Sequence, residues 1–153
     1  MIALADEVFS YRTDPEQLDV NETVIEKLHT LHAATLSEHV EGDGPVVWIL
    51  LIPTTIETMH QFVDCKITER QLLEQTRAGE LYEAIYLCSA LVLPELRRKG
   101  LAKKLTLEAI QKIQNDYPIK FLYVWPFSKE GDQLSVLLSQ QLGLPLKVRK
   151  VKD

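Results

Sequence analysis

The sequence predicts an α/β (α+β) fold, a central sheet with helices packed on it, and three observations predict it. Two apolar runs, residues 46–52 and 84–93, lack alternation and read as strands buried on both faces. Segments before, between and after them repeat their apolar residues at helical spacing. Pro53, Pro94 and Pro126 each close an apolar run, because proline cannot serve a central ladder.

Taken in order, residues 1–12 predict a short strand. Over residues 15–39 the spacing of Leu18, Val24, Ile25, Leu28, Leu31 and Leu36 predicts one or two helices. Residues 41–45 (Glu-Gly-Asp-Gly-Pro) break that pattern as a turn, and the strand 46–52 follows, stopped by Pro53. Thr54 or Thr55 caps a helix carrying Ile56, Met59, His60 and Val63. A second short helix runs over 68–76, with Thr68 as cap, Gln71 in the capping-box position and Gly79 as its stop. After the strand 84–93, residues 96–115 predict an amphipathic helix striped by Leu101, Leu105, Ala109 and Ile113. Residues 119–125 predict a third strand, 131–142 a last helix before Gly143, and 146–151 a final strand.

With 153 residues, 46% hydrophobic and 25% charged, the chain suits a single domain over 1–153. Its formal charge of −5 argues against nucleic acid as a partner. No apolar run approaches the ~20 residues of a spanning helix, so no membrane is expected. The N-terminus lacks a basic region, and Asp6 and Glu7 interrupt its apolar stretch, unlike a secretory signal. Cys65 and Cys88 form neither a CxxC pair nor a disulfide framework, so a cytoplasmic, metal-free protein is expected.

The chemistry concentrates where the strand 84–93 meets the next helix. Arg97, Arg98, Lys99, Lys103 and Lys104 crowd that junction in an acidic chain. A helix start carries about +0.5 of an elementary charge, so cations there cost roughly 0.3–1 kcal/mol each unless an anion answers them. A phosphate fits, since helix-start N–H groups bind anions and Gly100 admits a ligand with no Cβ in the way. A solvated basic face is the plain alternative.

The pattern Arg97-x-x-Gly100-x-Ala102 has a strand, Pro94 and Glu95 before it and an amphipathic helix after it. It resembles the acyl-CoA-binding motif of the GNAT N-acetyltransferase superfamily, (Q/R)-x-x-G-x-(G/A), and the resemblance covers residues 83–143. It implies a GNAT-like mixed, splayed central sheet covered by helices on both faces, and acetyl-CoA as co-substrate. The backbone amides of Arg98, Lys99, Gly100, Leu101, Ala102 and Lys103 would wrap the pyrophosphate, with the Arg97, Arg98 and Lys99 side chains near the phosphates. The main chain of Leu91, Val92 and Leu93 would pair with the pantetheine arm, opposite a wall formed by 119–125, and amides near Val92 would polarise the thioester carbonyl.

The reaction implied is direct attack, in a ternary complex, by a primary amine of a small molecule or peptide on the thioester. A homodimer is left open. Two other readings stand beside it: a GNAT-like module that binds acyl-CoA without turnover, and an interaction domain whose basic loop meets an acidic partner.

The chain departs from the family pattern in several places. Ser139 occupies the place of the usual tyrosine acid, and Asp132 is nearest to a common asparagine. Tyr86 stands where the family often carries a glutamate base, and alternation puts Cys88 on the same face. These two are the candidate catalytic residues, with burial in the core as their alternative. No hairpin is expected before the motif strand, because helical segments separate 46–52 from 84–93.

Other residues read more plainly. Glu26, His29 and His32 lie three apart, which is not the HExxH arrangement, so they suit a solvated or acceptor-side face. His60 and Cys65 share one segment. Trp48, Tyr123, Trp125 and Phe127 suit core or pocket wall. Lys147, Arg149, Lys150 and Lys152 alternate with apolar residues as on a guarded edge strand.

Overall fold

The computed structural model describes residues 22–41, 44–92, 101–125 and 129–150. The elements are α1 (Glu22–Leu31), β1 (Leu36–Glu41), β2 (Gly44–Thr54), α2 (Ile56–Val63), α3 (Glu69–Gln75), β3 (Ala84–Val92), α4 (Leu101–Asp116), β4 (Phe121–Val124), α5 (Lys129–Leu142) and β5 (Leu146–Val148). The strands form one mixed sheet in the order β1-β2-β3-β4-β5. Pairing is antiparallel from β1 through β3 and parallel from β3 through β5. Parallel neighbours need a crossover, which α4 and α5 supply.

Helices cover both faces. On one, α1, α2 and α3 pack Leu28, Met59, Phe62 and Leu72 against Leu50, Ile52, Tyr86 and Tyr123 of the sheet. On the other, Ala109, Ile110 and Ile113 of α4 and Leu138 of α5 cover Ile49, Leu51, Ile85 and Leu122. Consecutive residues of Ile49–Ile52 and Ala84–Cys88 feed opposite clusters, which is why these stretches carry no polar alternation.

The short helices follow their caps. Thr55 Oγ1 accepts the Thr58 N–H at 3.2 Å to open α2. Thr68 and Gln71 form a reciprocal capping box, Gln71 N–H to Thr68 Oγ1 at 3.1 Å and Thr68 N–H to Gln71 Oε1 at 2.9 Å. α3 ends at Gln75, ahead of Gly79, whose φ of +85° serves the turn that follows.

Two expectations are corrected here. Residues 36–39 are strand, not helix, so a β1–β2 hairpin does precede β3, with Glu41 paired to Gly44. The helix stops because the Thr35 hydroxyl donates to the Leu28 and His32 carbonyls, each at 2.8 Å, and the Ala34 N–H donates to His32 Nδ1. Side chains thus take groups that another helical turn would need.

Nor does Pro53 stop β2, which runs on to Thr54. Pro53 pairs with Ile85 beyond Leu50, the last residue β1 reaches, so no strand lies beside it on that side among the described residues.

Other boundaries are close to those expected, with Leu105, Ala109 and Ile113 of the predicted stripe packed from α4 and α5 beginning at Lys129, but β5 ends at Val148, short of the expected 151. The predicted strand at 1–12 lies outside the described residues, as do Leu18, Leu93, Pro94, Arg97, Arg98, Lys99, Gly100, Pro126, Phe127 and Lys152.

Candidate functional site

The candidate site lies at the carboxyl ends of the three parallel strands, the end of an open α/β sheet where ligands ordinarily bind. β3 leads from Leu91 and Val92 toward the predicted anion loop, and α4 resumes with Leu101, Ala102 and Lys103. Two relationships shape this end. β3 pairs with β4 only at Ala84, Ile85 and Tyr86, so the main chain from Leu87 to Val92 has no partner on that side among the described residues. On its other side, Leu91 and Val92 pair with Trp48 and Val47 of β2.

The second relationship is a bulge. Leu50 pairs with Ser89 and Leu51 with Leu87, which leaves Cys88 opposite no residue of β2. A bulge bends its strand and steepens the local twist. It falls two residues past Tyr86, where β3 and β4 cease to pair.

Tyr86 and Tyr123 are the last residues at which β3 and β4 pair. Their rings stack with centroids 5.2 Å apart, and the Tyr86 hydroxyl donates to Glu69 Oε2 at 2.5 Å. Tyr86 and Glu69 are both 0% exposed. The Tyr123 hydroxyl shares a 2.8 Å hydrogen bond with Thr54 Oγ1. Burial, with the Glu69 carboxylate beside it, holds the Tyr86 phenol well above its ordinary pKa of 10.0. Burial raises Tyr123 likewise, against the hydrogen bond from Thr54. Neither tyrosine can ionise at neutral pH, so neither acts alone as a base. Cys88 is buried on the same cluster.

Above this floor stand Phe62, Trp125 and Arg149. The Arg149 guanidinium lies 4.4 Å from the centroids of both the Phe62 and Trp125 rings. It donates to the Phe62 carbonyl at 3.1 Å and to the Ile67 carbonyl at 3.0 Å. At 4% exposure, Arg149 is not the edge guard its alternation suggested. Among the described residues of that set, Lys147 and Lys150 are at the surface, Lys147 over the Phe121 ring and Lys150 paired with Asp64 at 2.6 Å.

Sequence reasoning missed Glu69 and Arg149. Glu69 carried a partial signal, an acid at the first position of a capped helix, which the helix dipole favours. It is bonded to Tyr86, seventeen positions away, and no local pattern encodes that.

The remaining predicted residues stand apart. Ser139 lies on α5, on the other face of the sheet, where its hydroxyl donates to the Leu144 carbonyl at 2.5 Å and closes the helix end. His29 and Glu26 are exposed on α1. His32 is tied to Asp116 at 2.5 Å through Nε2 and borders a cleft of about 270 Å³ between β1 and α4, lined also by Ser37, Glu38, Leu105 and Glu108. That cleft is across β2 from the β3–β4 opening and shares no residue with it. His60 is exposed, while the Cys65 thiol donates to the Lys150 carbonyl at 3.1 Å, so the two do not form a reactive pair.

No family model matches the chain, and no curated protein matches it in sequence. No described helix is long and apolar enough to cross a membrane.

Proposed function

We propose that the protein is an acyl-CoA-dependent N-acyltransferase that moves an acetyl group from acetyl-CoA to a primary amine of a small molecule or peptide. The observation that carries this reading is the parting of β3 from β4 after Tyr86, on the strand that leads into the cation-rich segment Arg97-x-x-Gly100-x-Ala102. An open row of β3 backbone groups next to a helix start suits a ligand with amides at one end and a pyrophosphate at the other.

In this reading the main chain of Leu91, Val92 and Leu93 pairs with the pantetheine amides as an added strand. The amides from Arg98 to Lys103 hold the pyrophosphate, and Arg97, Arg98 and Lys99 answer its charge. An amide near Val92 polarises the thioester carbonyl, and a preorganised donor of that kind is commonly worth about 3–4 kcal/mol. A neutral amine attacks the carbonyl carbon, the C–N bond forms, the C–S bond breaks, the thiolate leaves with the electron pair, and the proton the nitrogen sheds to water is matched by one the thiolate takes up.

Calorimetry and thermal unfolding with acetyl-CoA test the reading. At about 100 times Kd, binding adds about 2.7 kcal/mol, which for a chain of this size raises Tm by about 5–10 °C. Gly100→Glu puts a carboxylate among the phosphate-binding amides and should abolish that shift while leaving the Tm of the free protein nearly unchanged. No heat and no shift at millimolar acetyl-CoA would remove the reading.

A second reading, a module that binds acyl-CoA without turnover, is favoured by one observation. The Tyr86 and Ser139 hydroxyls are both engaged in internal hydrogen bonds, to Glu69 and to the Leu144 carbonyl. Thiol release in the presence of primary amines, faster than thioester hydrolysis, excludes the pure binder.

A further inference from the structure

We draw no further inference here: the strongest candidate, the cleft between β1 and α4 lined by His32, Ser37, Glu38, Leu105 and Glu108, carries nothing, because both nitrogens of His32 are engaged, by Asp116 and by the Ala34 N–H, its two glutamates are exposed, and nothing in the structure shows what covers it.

Discussion

Tyr86 and Tyr123 stack face to face on adjacent parallel strands, at the last position those strands share. Below the stack the two hydroxyls diverge, one to Glu69 on α3 and the other to Thr54 at the end of β2. The pair thus joins β2, β3, β4 and α3 at one buried level, and it is the last described level at which β3 and β4 pair. Phe62 packs against both rings, with centroids 4.8 Å from Tyr86 and 6.0 Å from Tyr123.

Alkaline titration should distinguish these phenols. Burial pushes Tyr82 up to about 12 and holds Tyr86 and Tyr123 well above the ordinary 10.0. In the unfolded chain the same groups ionise near 10, so above that pH the unfolded state binds fewer protons and stability falls as pH rises. Phenolate absorbance should therefore show these three tyrosines ionising late, together with the loss of native circular dichroism. Their ionisation near pH 10 in a folded protein would contradict the burial described here.

Arg149→Met should cost about 2–4 kcal/mol, because the Phe62 and Ile67 carbonyls lose a charged donor and such bonds are worth about 1.5–3 kcal/mol each. Arg149→Lys should recover only part of that, since an ammonium lacks the planar fork that reaches both carbonyls. Urea unfolding measures both, and a loss below about 0.5 kcal/mol for the Met variant, the range of ordinary surface changes, would show the cation to be dispensable.

Thr68→Ala should lower stability by about 1 kcal/mol through loss of the α3 cap. The effect should appear first as faster amide exchange in α3, whose seven residues are too few to hold a helix without cap and packing.

Asp64 and Lys150 give a pH-dependent pair. The hydrogen bond from Lys150 lowers Asp64 from its ordinary 3.8, and the bond to Asp64 raises Lys150 from 10.5. The Asp64 contribution is present above about pH 4 and fades as pH falls through the depressed value. That of Lys150 is present below about pH 10 and fades as pH rises through the raised one. Asp64→Asn should therefore lower Tm slightly at pH 7, by an amount that shrinks as pH falls below about 4 and in molar salt. A difference that did not shrink with falling pH would mean that the side chain acts through something other than its charge.

Some of this molecule was legible in its sequence because the deciding physics is local. The Thr68–Gln71 capping box, the Thr55 cap and the β2 and β3 cores are read from residues a few positions apart, and the structure reproduces them. Local reading failed at residues 36–39, where apolar spacing continued but the Thr35 and His32 side chains had already taken the groups of the next turn. It failed again at Pro53, since whether a proline lies on an edge depends on how far another strand extends.

The site divides the same way. Composition and periodicity determined a sheet covered by helices and a cation-rich loop between a buried strand and a helix, because hydrophobic pattern and charge are properties of neighbours along the chain. Tertiary structure alone decided that the described pairing of β3 with β4 ends at Tyr86, that Glu69 is buried and bonded to that tyrosine, and that Arg149 lies against Phe62 and Trp125 rather than in water. Each of those facts joins residues that are distant in the chain, and a buried charge is tolerated only where such partners converge.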